Sequence, residues 1–313
     1  MLLSIVFIVG AIILLYFGAE FSLDASEKVG KKIGLSPLVI GMLLVGFGTS
    51  LPELFVGHIA GARGEVGIAL GSLVGSNIAN LFLVLGISAF IAKLSTKGKS
   101  LREHLGIHLL LSIALFFVLN QTHLTLLTAS PLLGVLVIYL FFIFKDMKRS
   151  EEVNRNSEEK ELDTDKNSIL LLKMIIGFFL LYVGGELLVK GGTDFGVAIG
   201  IETYIISSIF IAFGTSFPEL VTAVMAAVKK KDTDIIIGNI IGSNLFNCAL
   251  ILGSLGVYNF EIAGNYSVEL FSLLFGSGFL LLLSFLNKTL AKAGSILFVM
   301  VYLGVVGHWL KFL

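Results

Sequence analysis

Ten apolar segments follow one another along the chain, near 2–26, 37–62, 66–92, 104–120, 125–145, 169–190, 203–228, 233–256, 265–286 and 292–310. That succession constrains the fold more than any other feature. Most segments are long enough for a helix rising ~1.5 Å per residue to cross ~30 Å of hydrocarbon. The spans of a β-barrel would alternate apolar and polar residues, and these do not. The chain is 56% hydrophobic and 14% charged, whereas soluble domains are about one quarter charged. An all-α polytopic membrane protein is therefore expected. Its lipid bilayer is a partner by construction, and a net charge of zero gives nucleic acid no purchase. The single cysteine, Cys248, excludes an intrachain disulfide. The start of the chain is apolar without a basic leader and reads as a first span, not a cleaved signal peptide.

One long polar stretch interrupts the series, KDMKRSEEVNRNSEEKELDTDKNS from Lys145 to Ser168. Its charge marks a solvated linker. The expected organisation is a first unit over 1–144, the linker over 145–168 and a second unit over 169–313. With the amino terminus outside, every Lys and Arg except Arg63, Lys190 and Lys311 falls on the opposite side. The positive-inside rule makes that side cytoplasmic. Both termini are then outside, the linker is cytoplasmic, and a plasma (inner) membrane is the expected location.

The two units repeat each other. GTSLPEL begins at Gly48 and GTSFPEL at Gly214; YFGAE begins at Tyr16 and YVGGE at Tyr182. Both offsets are 166. GSNIAN begins at Gly75 and GSNLFN at Gly242, an offset of 167, so one residue was inserted between the motifs. Each unit has five spans. Because five is odd, the second unit enters the membrane from the other side. Ten transmembrane helices as two inverted five-helix repeats is the resulting fold class, an architecture that places a central site at the repeat interface.

The repeated motifs carry oxygen. Pro52 has no N–H, so the Gly48 carbonyl loses its helical partner, and Gly46 and Gly48 loosen the backbone further. Carbonyls freed at membrane depth need protein, water or an ion. Thr49 and Glu53 lie four apart on one helix face beside Ser50, and Thr215, Ser216 and Glu219 repeat the arrangement. Ser76 with Asn80 and Ser243 with Asn247 are two more i, i+4 pairs. Gly71 with Gly75, and Gly238 with Gly242, suit close helix approach; Asn77 and Asn244 face elsewhere and suit interhelical hydrogen bonds. The donors are all hard oxygens, without Cys or His, which favours Ca²⁺ or Na⁺ over zinc, copper or iron. A carboxylate at mid-membrane costs at least ~2.5 kcal/mol. Two of them ~5 Å apart repel by roughly 3 kcal/mol at an effective dielectric near 20. A divalent cation, several monovalent ones or protons would relieve both costs, and an empty doubly charged site would resist being carried across.

The two GTS-x-PE and the two GSN-x-x-N segments resemble the α1 and α2 repeats of the cation/Ca²⁺ exchanger superfamily, its prokaryotic Na⁺/Ca²⁺ exchangers above all. The resemblance covers the whole chain. It implies secondary antiport of Na⁺ for Ca²⁺ by alternating access, with helices two, three, seven and eight enclosing the ions and helices one and six sliding. It implies that Glu53 and Glu219 bind Ca²⁺ together with the carbonyls of Thr49 and Thr215. Na⁺ sites would share the glutamates and use Ser50, Ser216, Ser76 and Ser243, with carbonyls of Gly46 and Ala212. Asn80 and Asn247 match the amide or acid positions between the glutamates. The chain departs from the pattern at Ser72, opposite Asn239 of the second repeat, where a packing effect is expected. It departs again at Asn247, an aspartate in some relatives including the K⁺-dependent branch, which argues against K⁺ cotransport. An H⁺/Ca²⁺ exchanger, a K⁺-dependent exchanger and a cation channel stand as alternatives.

No cofactor is expected; Ca²⁺ and Na⁺ are the cargo. No metalloprotease motif or nucleophile–base pair suggests an enzyme. A monomer is the expected functional unit. Glu20 and Glu186 are repeat mates nearer helix ends, suited to gating or interfacial placement. His104 and His108 have metal-like spacing but no further ligands, and read as solvated interface residues. The lysines at 229–231 read as a topology anchor.

Overall fold

The computed structural model describes residues 2–155, 166–199, 216–262 and 264–312. Its helices map one to one onto the ten apolar segments. They are α1 (Leu2–Lys32), α2 (Pro37–Thr49 and Leu51–Ala62), α3 (Val66–Ile91), α4 (Lys99–Leu119), α5 (Leu126–Arg155), α6 (Asn167–Ala198), α7 (Phe217–Val228), α8 (Thr233–Tyr258), α9 (Ser267–Phe285) and α10 (Lys292–Phe312). Among the described residues, α7 is the one too short to span, because the first part of its segment lies outside them.

Local chemistry explains the helix ends. Lys31 and Lys32 close the last turn of α1, where cations complement the helix dipole. Ser36 starts α2 by accepting the Val39 N–H at 3.3 Å, with Pro37 in the first turn, as caps of this kind do. The two halves of α2 meet at Ser50 with a bend of 43°, where Pro52 removes a backbone donor.

The repeat is visible in the backbone. Strands β1 (Leu94–Ser95) and β4 (Thr289–Leu290) pair antiparallel, as do β2 (His123–Leu124) and β3 (Phe260–Glu261). Adding 166 to Leu94 gives Phe260, and adding 166 to Leu124 gives Leu290. The pair Leu94–Leu290 therefore maps onto Phe260–Leu124 when the units are exchanged. Each ribbon takes one strand from each unit, the signature of an approximate two-fold axis. Gly98 and Gly264 obey the same offset and share φ values of 109° and 110°.

Burial separates a frame from a periphery. The most apolar stretches of α3 and α8 are 78% and 94% buried; those of α1 and α6 are 28% buried. Helices α1 and α6 run antiparallel along each other. A Cβ on Gly18 would lie 2.7 Å from the Leu181 nitrogen, and one on Gly184 would lie 3.0 Å from the Leu15 nitrogen. Only glycine permits so close an approach of two helices. On the other faces of the pair, apolar side chains such as Ile12, Phe17, Ile175 and Phe179 are exposed, as lipid contact requires.

Candidate ion-binding site

The two GTS-x-PE motifs adopt one backbone geometry where both are described. Ser50 has φ −84° and ψ 1°, and Ser216 has φ −87° and ψ 4°. Each serine precedes a helical stretch that carries proline and then glutamate in its first turn. Glu53 and Glu219 thus sit at helix amino ends, where the backbone dipole favours negative charge.

Both carboxylates are completely buried, and Thr49, Ser50, Ser76, Ser216, Ser243, Asn80 and Asn247 are 2% exposed or less. Glu219 is near enough to act electrostatically on Glu53. The Ser76 hydroxyl donates to Glu53 Oε1 at 3.4 Å. The hydroxyls of Thr49 and Ser243 face Glu219 without closing a well-formed hydrogen bond to it. Thr49, from the first unit, therefore meets Ser243 and Glu219 from the second.

The cluster holds more lone pairs than protons. Around Thr49 Oγ1 lie the Val45 carbonyl at 3.1 Å, the Gly46 carbonyl at 3.3 Å, Ser243 Oγ at 3.2 Å and Asn239 Oδ1 at 3.4 Å. Thr49 has one proton to offer them. Ser243 gives its own to the Gly46 carbonyl at 3.1 Å, which also takes the Ser50 N–H at 3.2 Å. Glu53 Oε2, both Glu219 oxygens, the Ser50 and Ser216 hydroxyls and the amides of Asn80 and Asn247 are buried without a hydrogen-bond partner. An unmet buried polar group costs about 1–3 kcal/mol. A hard cation satisfies such oxygens together. Among the described residues no three His, Cys, Asp or Glu side chains gather into a metal cluster, so two acids and neutral oxygens are the available donor set.

Of the residues singled out in the sequence, Glu53, Glu219, Thr49, Ser50, Ser216, Ser76, Ser243, Asn80, Asn247 and Gly46 lie on α2, at the start of α7, or on α3 and α8 beside them. Thr215 and Ala212 lie outside the described residues. The departure at Ser72 is expected to have only a packing effect, yet the amide of its repeat mate Asn239 meets Thr49. Its signal was present: Asn239 and Ser243 are four apart and share a face.

Three features were not anticipated. Helical turns widen to the π form over Ile40–Val45, Ala79–Val84 and Phe246–Leu252. Two of these contain the repeat mates Asn80 and Asn247, and widened turns of this kind recur at functional sites. His104 and His108 are not solvated. Both are buried, because α5, α8 and α9 cover that face of α4. His104 Nε2 meets Asp146 at 2.9 Å; His108 bridges Ser277 at 2.9 Å and Asn244 at 3.1 Å. Asn244 also donates to the Asn77 carbonyl at 3.3 Å, tying α8 to α3 as its sequence position suggested. Lastly, Lys229 and Lys231 are more than anchors, pairing with Glu20 at 2.7 Å and Glu27 at 2.6 Å.

Comparison with known proteins adds an independent line. The family profile described as sodium/calcium exchanger protein matches residues 3–145 and 169–310. The Escherichia coli inner membrane protein YrbG is 33% identical over 258 residues, 81% of this chain and 79% of that protein. The sodium/calcium exchanger MaX1 of Methanosarcina acetivorans is 29% identical over 298 residues, 82% of each. The sodium-calcium exchanger NCX_Mj, in a structure soaked with zero Na⁺ and Ca²⁺, superposes with a TM-score of 0.84 at 27% identity, covering 98% of this chain and 99% of that one. The shared fold, the long matches on both sides of the linker, and the doubled motif at the starts of two helical stretches agree: this chain is a multi-pass membrane transporter and belongs to the sodium/calcium exchanger family.

Proposed function

We propose that the protein is a secondary antiporter exchanging Na⁺ for Ca²⁺ at one central site shared by Glu53 and Glu219. The observation that carries this is the pair of buried carboxylates with unpaired oxygens, one from each repeat, in the first turns of the second half of α2 and of α7. Ca²⁺ would neutralise both at once. Na⁺ ions would occupy the same oxygens one charge at a time. The two states compete for the same donors, so loading one cargo displaces the other. An empty site would carry two uncompensated buried charges through the closed form, which opposes uncoupled return and makes exchange obligatory.

In this reading Thr49 and Thr215 supply carbonyls to Ca²⁺. Ser50, Ser216, Ser76 and Ser243 supply hydroxyls to Na⁺, with the Gly46 and Ala212 carbonyls, and Asn80 and Asn247 supply amides between the glutamates. Residues 1–144 and 169–313 act as the two inverted units, joined by a cytoplasmic linker over 145–168, and α1 with α6 slides across the frame. The termini face outside, the membrane is the plasma (inner) membrane, and a monomer suffices.

The test is ⁴⁵Ca²⁺ uptake into proteoliposomes loaded with Na⁺. Uptake driven by the outward Na⁺ gradient and saturable in Ca²⁺ is expected. Uptake indifferent to Na⁺ but driven by a pH gradient would replace the reading with H⁺/Ca²⁺ exchange. Flux without any counter-ion would make the protein a channel.

A further inference from the structure

The Glu20–Lys229 ion pair joins α1 to the end of α7 at 2.7 Å, and Lys231 joins Glu27 of α1 at 2.6 Å. Both bridges are on the lysine-rich side of the molecule, beside a cavity of about 320 Å³ lined by Glu20 and Lys229. The repeat supplies a counterpart. Adding 166 to Glu20 gives Glu186 on α6, and adding 166 to Arg63 gives Lys229. The backbone supports the second equivalence. Arg63 and Lys229 each follow the last residue of a helix, and each precedes a residue with positive φ, Gly64 at 72° and Lys230 at 53°. A carboxylate and a cation thus recur on the opposite side of the membrane, on the helices related by the two-fold axis. There both side chains are exposed, and neither has an ion-pair partner among the described residues.

We infer that Glu20–Lys229 and Glu186–Arg63 are the two positions of an alternating ion-pair latch, one closing the lysine-rich side and the other closing the opposite side. The inference rests on the antiport reading for its purpose, because a two-fold pseudo-symmetric transporter that exchanges its open side exchanges its closed contacts as well. The present structure holds the first pair made and the second apart. The latch is not balanced. The mate of Glu27 is Thr193, which carries no charge, so the Glu27–Lys231 bridge has no counterpart. Two bridges against one bias the protein toward closure on the lysine-rich side.

The pairs are partly exposed, so each shifts the balance only modestly; bridges of this kind change an equilibrium by a few-fold. Cross-linking reads that shift. Glu186→Cys with Arg63→Cys is treated in proteoliposomes with a short bifunctional thiol reagent, leaving the buried Cys248 in place and using each single-cysteine variant as a control. A cross-link is expected, and adding Glu20→Gln should raise its rate about two- to fivefold, as should Glu27→Gln. The charge reversal Glu20→Lys with Lys229→Glu should return the rate to its starting value. Absence of the cross-link overturns the latch, as does a rate that is unchanged or falls in Glu20→Gln. Linkage is read without reference to the cargo. A responsive cross-link in vesicles lacking Na⁺-driven Ca²⁺ uptake would therefore fault the antiport reading alone. Normal uptake with an unresponsive cross-link would fault the latch alone.

Discussion

Helices α8 and α6 are both long and apolar, yet the most apolar stretch of α8 is 94% buried and that of α6 only 28%. Their polar content follows the difference. Helix α8 carries Asn239, Ser243, Asn244 and Asn247 in its buried interior and bonds three of them to α2, α3 and α4. Helix α6 meets α1 through Gly177, Gly184 and Gly191, seven residues apart, with backbone against backbone. A helix pinned by directional hydrogen bonds has one comfortable position. A helix in contact through a glycine stripe has a smooth surface with little to break when it moves. The contrast divides the molecule into a frame rich in buried oxygens and a glycine-striped pair, which the proposed reading casts as ligand holder and sliding element, and it can be broken at either end.

The largest effect belongs in the frame. Glu53→Gln or Glu219→Gln removes one of the two carboxylates that the proposed reading sets against the cation, and the attraction of a carboxylate for a cation ~4 Å away is about 4 kcal/mol per unit charge at an effective dielectric near 20. Each change should lower Na⁺-driven ⁴⁵Ca²⁺ uptake by roughly 100-fold or more, since each 1.36 kcal/mol is tenfold. Near-normal uptake in either variant would mean that the glutamates do not share one site.

The glycine-striped pair comes next. Gly184→Leu places a side chain where a Cβ alone would lie 2.9 Å from Leu15 Cγ and 3.0 Å from the Leu15 backbone nitrogen. A backbone atom cannot step aside, so α1 must move. Overpacking of this kind costs about 1–3 kcal/mol, and a roughly tenfold fall in uptake is expected. Gly134→Leu on α5, with no atom within 4 Å of its Cβ position, should leave uptake unchanged. Equal behaviour of the two variants would erase the distinction between α6 and an ordinary lipid-facing helix.

Asn247→Asp sharpens the frame itself. The buried Asn247 amide has no hydrogen-bond partner and lies on a widened turn. An added carboxylate there should change the ratio of apparent Ca²⁺ to Na⁺ affinities by a few-fold, about 1 kcal/mol. Competition of Na⁺ against ⁴⁵Ca²⁺ measures it, and an unchanged ratio would make Asn247 a packing residue.

Much of this was legible in the sequence. Spans follow from apolar runs, and the inverted repeat follows from two offsets and an odd count. The break near Ser50 follows from Pro52. What the sequence did not disclose depends on contacts between distant segments. Nothing local distinguishes the α4 face bearing His104 and His108 from an interfacial one; Asp146, Ser277 and Asn244, from three other helices, decide it. The π turns around Asn80 and Asn247 likewise lack a residue such as proline to announce them. The lysines of 229–231 read as an anchor because charge bias is a loop-level property, whereas their partners Glu20 and Glu27 lie on a helix some two hundred positions earlier.

The smallest expected effect tests whether the buried histidine belongs to the frame's support or to its chemistry. His108 joins α4 to Ser277 of α9 and Asn244 of α8. His108→Leu removes both links, but Asn244 keeps the Asn77 carbonyl and Ser277 keeps the Leu273 carbonyl at 2.6 Å. The residual network limits the damage. Interhelical hydrogen bonds in membranes average about 0.6 kcal/mol, so two of them together are worth roughly 1–2 kcal/mol. That loss should appear as a lower midpoint of unfolding in detergent, while Na⁺-driven uptake stays within about twofold of the starting protein. Uptake abolished in a variant that unfolds at the normal midpoint would reverse the assignment, because a strut removed without loss of stability was not acting as one.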